Sequence, residues 1–403
     1  MESIARMRAT STSTSGSFLL TGGTGLLGSY VIRDLLLDGC GIAVIVRRER
    51  RAAADARVEA IVRFWEDQLG KRLPRPKVLE GDLNAPLCGL DADAIRWVGE
   101  HCESVLHNAA SLTFRGPDRE QEPWKSNVAG TANVLAVAKA AGLRHFNHVS
   151  TAYVCGLRTG TVREDELDVG QEFGNDYERS KVEAESLVRD AAHLDTVTVL
   201  RPSIIVGDSR TGFTSTYHGF YVILRLGHTL LPHVPWGIVS REALMQCLGT
   251  CDRDTKNLVP VDWVSAAMAH IVQTPAARGR TFHLTNPRPV PMDAIARVVE
   301  DAVRARLTEP AAPQDRQDGA WLSSNMVGQM DVYRTYLRDD PVFDRTNTEA
   351  MAAHLPCPEL DIATLRKLAD FAIDREFGKT PAFPMPTDAP KTAPRPVAGA
   401  AAV

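Results

Sequence analysis

The sequence predicts an α/β protein: a Rossmann-like doubly wound parallel sheet with a smaller, mainly helical substrate lobe. Three observations predict it. A short apolar strand, Phe18-Leu19-Leu20-Thr21, runs directly into the glycine-rich turn Thr21, Gly22, Gly23, Thr24, Gly25, Leu26, Leu27, Gly28. Strand-like and helix-like segments then alternate as far as Pro202, as a doubly wound sheet requires. Tyr177 and Lys181 stand four apart in a segment of helical character through Asp190, so both project from one helix face.

The elements follow in order. After the turn, Leu26, Leu27, Val31, Ile32, Leu35 and Leu36 recur at helical spacing, and Asp38-Gly39 is the stop. In such a strand–turn–helix unit, small residues let the backbone approach a dinucleotide diphosphate, whose charge meets the first free amides of the helix. Thr21 to Gly28 are therefore candidate cofactor contacts. The next strand, Ile42–Val46, ends in Arg47-Arg48, where an acidic residue would suit the ribose hydroxyls of NAD. Cations there suit the 2′-phosphate of NADP, so NADPH is the expected cofactor. Arg47 leads, with Arg57, Arg48, Arg50 and Arg51 as assistants at the start of a helix over 50–69.

Val78–Gly81 delivers Asp82 and Leu83 to a strand end that borders the adenine. Val105–Asn108 is another strand, followed by Ala109 and Ala110, whose small side chains let a flat cofactor lie against the backbone. His107 reads as a packed strand residue rather than a metal ligand. Arg144–Val149 forms a strand whose end presents Ser150 and Thr151. A lysine cation near a phenol favours phenolate, and a ribose hydroxyl bridging Tyr177 and Lys181 would complete a proton relay. The Thr151 hydroxyl can hold a substrate carbonyl oxygen beside the tyrosine. Together these features imply a nicotinamide-dependent oxidoreductase.

From the glycine turn to about Pro202, and more loosely through residue 290, the chain resembles the extended short-chain dehydrogenase/reductase family. The resemblance implies that Tyr177 is the general acid/base, Lys181 its partner and Thr151 the hydroxyl of the triad, with Ser150 as the fallback one place away. Asn127, in Asn-Val-Ala-Gly-Thr131, resembles the family's structural asparagine. A narrower likeness is carried by Phe173-Gly-Asn-Asp-Tyr-Glu-Arg-Ser-Lys181, His148-Val-Ser-Thr-Ala-Tyr-Val154 and Arg201-Pro-Ser-Ile-Ile-Val-Gly207. These segments resemble thioester reductase domains and fatty acyl-CoA reductases. That likeness implies reduction of an acyl thioester, held on a separate carrier protein or coenzyme A, through a thiohemiacetal to an aldehyde and in some members onward to an alcohol. Reduction of free aldehydes or ketones is the alternative. A sugar-nucleotide-type epimerase or dehydratase, and a nucleotide-sensing protein without turnover, are further ones.

The expected organisation is a flexible leader over 1–16, a mainly NADP-binding domain over 17–205, a mainly substrate-binding lobe over 206–378 with segments returning to the first domain, and a Pro/Ala-rich tail over 379–403. The apolar run from Phe213 through Leu231 reads equally as an acyl channel or as the lobe's own core, and Pro232, Pro235 and Trp236 then interrupt any helix. Leu258–Met268 reads as a short strand feeding a helix with Asp262 as N-cap. Thr281–Thr285 reads as a buried strand whose His283 lacks metal-ligand partners. Residues 291–308 and 358–376 carry helical spacing. Val342–Asn347 loosely resembles a C-terminal element of the acyl reductases.

Composition excludes little but does exclude some classes. A net charge of −4, from 46 Lys+Arg against 50 Asp+Glu, makes no general case for nucleic-acid binding. The N-terminal segment lacks the apolar core of a secretion signal, and no uninterrupted apolar run is long enough for membrane insertion. A cytoplasmic protein, monomer or homodimer, is expected. The seven cysteines are scattered; Cys247 and Cys251 are spaced to share a helix face but have no complementary cluster, so no metal is expected.

Overall fold

The structure is a computed structural model and describes residues 16–50, 52–230, 245, 249–304, 338–379 and 383. Its centre is a seven-stranded, wholly parallel sheet. β1 (Ser17–Thr21) lies between β2 (Gly41–Val46) and β4 (Ser104–His107), with β3 (Lys77–Glu80) outside β2. On the other side follow β5 (His145–Val149), β7 (Thr196–Pro202) and β11 (Thr281–Leu284). Apart from the edge strand β3, where only Leu79 is buried, the strands are near-continuous runs of buried residues because helices cover both faces. The order reverses between β1 and β4, and a ligand crevice of such a sheet opens at that switch point, beyond the strands' C-terminal ends.

Local chemistry sets the covering helices. α1 (Leu26–Leu37) buries nearly every residue, including Arg33 and Asp34, which form an ion pair at 2.9 Å. Ser265 on α7 (Val261–Gln273) donates to Asp34 at 2.7 Å, so a late helix seals an early one. α2 (Ala54–Leu69) stops at Gly70, whose φ of 64° suits glycine. α3 (Ala92–His101) is capped by Asp91, which accepts from the Ala94 amide. A π-helical turn, Lys125–Ala129, leads into α4 (Gly130–Ala140), and α5 (Asp176–Arg189) packs beside it. The short α9 (Thr346–Ala352) lies against β11, where the Thr348 hydroxyl donates to the His283 carbonyl at 3.0 Å.

The second lobe has its own core. α6 (Phe220–Leu230), α8 (Met292–Arg304) and α10 (Ile362–Asp374) bring together Phe220, Tyr221, Leu224, Ile295, Val299 and Leu368. Phe220, Tyr221, Ile223 and Leu224 of the apolar run therefore serve as lobe core, while Phe213 joins Tyr30, Phe64 and Trp65 in the other core. Leu231, Pro232, Pro235 and Trp236 lie outside the described residues, as do the leader to residue 15, Arg51, Cys247 and most of the tail.

Short strand pairs stitch the lobe to the sheet. β8 (Ile204–Val206) pairs with β10 (Leu258–Pro260), β9 (Thr255–Lys256) with β12 (Val290–Pro291), and β6 (Thr161–Val162) with β13 (Val342–Phe343). Asp262 is not the N-cap of α7. Pro260 holds that position, and the Asp262 carboxylate turns aside to accept from the amide and hydroxyl of Ser209 at 2.9 and 2.8 Å. Cys251 stands in an irregular segment before β9, not on a helix. Among the described residues no helix is long and apolar enough to cross a membrane, and no group of three or more His, Cys, Asp or Glu side chains is placed to hold a metal ion.

Candidate active site

The glycine turn is built by close approach. Gly22, at φ 70°, lies against the β4 end so tightly that a methyl group there would sit 2.6 Å from the Ala109 nitrogen. At Gly28 a methyl group would meet the Gly22 oxygen at 2.0 Å, so the first turn of α1 rests on the strand exit. Gly25 differs: its nearest neighbour would be 3.5 Å away. It is the N-cap of α1, no side chain caps the helix there, and the first turn carries no acid. An uncapped, acid-free helix start beside an open glycine fits an anionic diphosphate.

The predicted basic residues are arranged at the neighbouring strand end. Arg57 reaches back from α2, donating to the Arg47 carbonyl at 2.8 Å and to Thr24 Oγ1 at 3.2 Å, while pairing with Glu49 at 2.8 Å. It therefore links the glycine turn to the end of β2. Arg47 is exposed at that end. Arg48 is paired with Glu80 at 2.8 Å, which turns it towards β3. Beyond β3, Asp82 accepts from the Asn84 amide at 3.0 Å, and the Leu83 carbonyl accepts from Asn133 at 2.7 Å. Ala109 is half-buried and Ala110 exposed beyond β4. Asn108, which the sequence patterns did not single out, donates to the Gly22 carbonyl at 3.2 Å.

A continuous hydrogen-bond chain joins this turn to the helix carrying Tyr177. The Ala109 amide donates to Thr21 Oγ1, which contacts His107 Nδ1 at 2.7 Å; His107 Nε2 contacts Thr131 Oγ1 at 2.9 Å. Thr131 donates its own proton to the Asn127 carbonyl at 2.6 Å, so His107 must carry its proton on Nε2 and accept from Thr21. Burial, and then the Lys181 charge, lower the His107 pKa to about 3 and keep it neutral. Asn127 Nδ2 donates to Ser180 Oγ at 2.9 Å, and Ser180 donates to the Tyr177 carbonyl at 2.7 Å.

The segment Asn175–Lys181 is explained residue by residue. Asn175 caps α5 by accepting from the Glu178 amide at 3.0 Å, and Glu178 reaches back to the Gly174 amide at 2.8 Å. This reciprocal arrangement is a variant of the capping box. Asp176 accepts from the Gly116 amide at 2.8 Å. Tyr177 and Lys181 then share one buried face. Lys181 Nζ donates to the Val149 carbonyl at 2.8 Å, at the end of β5.

The two hydroxyl candidates part company. The Thr151 hydroxyl lies close enough to the Tyr177 phenol to lower its pKa, while its own hydrogen bonds run to the Pro202 carbonyl at 3.4 Å and from the Tyr153 amide at 3.2 Å. Ser150 Oγ is buried with no hydrogen-bond partner among the described residues; Glu185 nearby is held by Arg201 at 2.7 Å and by Arg189 at 2.7 Å. That buried Glu185–Arg201 pair was missed in the sequence, where the two residues belong to different elements.

One electrostatic expectation is corrected. Lys181 does not make Tyr177 acidic: burial pushes the phenol up to about 12, with only the nearby Thr151 hydroxyl lowering it. Burial also brings Lys181 down to about 8, opposed by the Glu185 charge. Desolvation dominates both shifts. His148, buried nearby, is held well below its ordinary value, by burial first and then by the Lys181 charge.

The fold is Rossmann-like, and comparison with known proteins places the chain in an oxidoreductase family. Residues 20–268 match the male sterility protein family of NAD-binding proteins, and the chain belongs to that family of extended short-chain dehydrogenase/reductases. The chain is 25% identical over 370 residues to a linear gramicidin synthase of Brevibacillus parabrevis, covering 88% of this chain and 7% of that protein. It is 28% identical over 292 residues to the fatty acyl-CoA reductase wat of Drosophila melanogaster, covering 62% of this chain and 53% of that protein. The solved terminal R domain from the myxalamid PKS-NRPS biosynthetic pathway matches with a TM-score of 0.70 at 26% identity, covering 92% of this chain and 94% of that one. The chain thus spans 7% and 53% of those two curated relatives, but almost the whole of the solved domain.

Proposed function

We propose that this chain is an NADPH-dependent thioester reductase. It takes an acyl group from a separate carrier protein or coenzyme A and releases an aldehyde, with a second reduction to the alcohol as a further outcome. The observation that carries this reading is Tyr177 and Lys181 on one buried helix face, with Lys181 bound at 2.8 Å to the end of β5 just before Ser150 and Thr151, and that helix tied through Ser180, Asn127 and His107 to an anion-ready glycine turn. The similarity to the R domain and to the fatty acyl-CoA reductase supports the acyl thioester as substrate.

NADPH, when bound, supplies the hydride. The chain's own groups manage the charge that develops. As the thioester carbonyl becomes tetrahedral, the Thr151 and Tyr177 hydroxyls receive its oxyanion, and Tyr177 gives up its proton. Lys181, a cation on the same helix face, favours the phenolate that forms once the proton has gone. Loss of the thiol from the thiohemiacetal leaves the aldehyde, so thioester, NADPH and a proton become aldehyde, thiol and NADP. Purified protein given an acyl-pantetheine thioester and NADPH should oxidise one NADPH per thiol and aldehyde, or two per alcohol. Turnover of free aldehydes without any thiol release would overturn this reading in favour of a non-acyl carbonyl reductase.

Two expectations follow from individual groups. Arg47→Ala should raise the KM for NADPH about tenfold or more through loss of a charge-assisted phosphate contact, while moving that for NADH less than about twofold. Equal losses with both cofactors would remove Arg47 from the 2′-phosphate site. The pH profile should carry the mark of Lys181. Its pKa of about 8 places the loss of the cation within the working range, while Tyr177 at about 12 keeps its proton. Reduction should therefore decline as pH rises through about 8. A kcat/KM profile flat to pH about 10 would show that the Lys181 charge is not required.

A further inference from the structure

The loop leaving β4, residues 109–124, is fastened at several points to the helix that carries Tyr177. Asn127 grips Ser111 at both backbone atoms: the Ser111 amide donates to its Oδ1 at 2.7 Å, and its Nδ2 donates to the Ser111 carbonyl at 3.1 Å. Asp176, the first residue of α5, accepts from the Gly116 amide at 2.8 Å and donates its own amide to the Phe114 carbonyl at 3.0 Å. Trp124 closes the loop by donating to the Gly116 carbonyl at 2.6 Å, and Gly116 is so crowded that a methyl group would sit 2.1 Å from the Glu122 oxygen. Arg119 pairs with Glu183, two turns further along α5.

Between Ser111 and Gly116 stand Leu112, Thr113, Phe114 and Arg115. The Phe114 ring lies 6.0 Å from that of Tyr177, centroid to centroid, and Phe114 is half-buried. Leu112 is 44% exposed, one of few large apolar side chains left in solvent among the described residues. A loop without slack that presents apolar groups beside a reactive hydroxyl has the form of a binding wall, because rigid positioning gives a loop its selectivity.

We propose that Leu112 and Phe114 are specificity-determining residues whose apolar faces seat the carbon chain next to the reacting carbonyl, held in register with Tyr177 by Asn127 and Asp176. The inference rests on the proposed acyl reduction for the nature of the chain, but its test separates the two. Wild-type protein and Phe114→Ala, each saturated with NADP, are titrated with octanoyl and acetyl pantetheine analogues in which an amide nitrogen replaces the thioester sulfur. Wild type should prefer the octanoyl analogue, and Phe114→Ala should reduce that preference about tenfold, or about 1.4 kcal/mol. Phe114→Leu should restore most of it. Asp176→Ala should lower the same preference, and Asp176→Asn, whose amide oxygen can still accept from Gly116, should recover it.

Affinity for NADP and the melting temperature report whether each variant is folded. A chain-length preference absent from wild type, or undiminished in folded Phe114→Ala, would overturn the wall. A preference that falls as expected, in a protein that nevertheless fails to reduce the corresponding thioesters, would keep the wall and refute the thioester reading.

Discussion

Tyr177→Phe should lose roughly 10²–10⁴-fold in reductive turnover, about 3–5 kcal/mol of barrier, because it removes the proton donor and one of two oxyanion partners. The substitution deletes a single oxygen from a side chain that is 9% exposed, so packing changes little. Thr151 keeps its own hydroxyl, which also accepts from the Tyr153 amide at 3.2 Å, and cannot replace the lost proton on its own. NADPH affinity should stay within about threefold, since the glycine turn lies on other strands. Steady-state kinetics beside a fluorescence titration of NADPH separates the two effects. Turnover above about a tenth of wild type would remove Tyr177 as proton donor.

Substitution in the glycine turn should divide fold from ligand. Gly28→Ala forces a methyl group to 2.0 Å from the Gly22 carbonyl, an atom of the backbone that cannot move aside without shifting β1 or α1. The expected cost is about 1–3 kcal/mol or more of stability, with cofactor affinity falling at least about tenfold because the helix start is displaced. Gly25→Ala meets no protein atom nearer than 3.5 Å and has an ordinary φ of −80°. It should melt close to wild type yet still bind NADPH poorly, since the methyl group enters space proposed for the diphosphate. Undisturbed NADPH affinity in Gly25→Ala would place the dinucleotide elsewhere.

Much of this was legible because it is local. The strand–turn–helix from Phe18 to Leu36 declares itself through apolar runs and glycines, and the Tyr177 helix through the four-residue spacing of Tyr177 and Lys181; its Asn175 cap and the Glu178 partner emerged only in the structure. The apolar spacing at residues 291–308 and 358–376 likewise marks helices, realised as Met292–Arg304 and Ile362–Asp374. What escaped depends on partners remote in sequence. Glu185 and Arg201 lie on different elements, and each is fully buried only because the other supplies the opposite charge. Asp262 has the position of a cap in the pattern, but Ser209, 53 residues away, claims its carboxylate. Tyr177 and Lys181 were placed on one face by spacing alone, yet spacing says nothing of how deeply each is desolvated. Their burial reverses the direction expected for the phenol.

The central claim is direct hydride delivery to an acyl thioester at the Thr151–Tyr177 pair. It is tested most directly with NADPH carrying deuterium at the transferable position, an octanoyl-pantetheine thioester, and mass spectrometry of the product. The account predicts free pantetheine and octanal bearing one deuterium at its carbonyl carbon, or octanol bearing two, with both products collapsing in Tyr177→Phe. Octanoate without deuterium, or no product while free octanal is reduced readily, would contradict it.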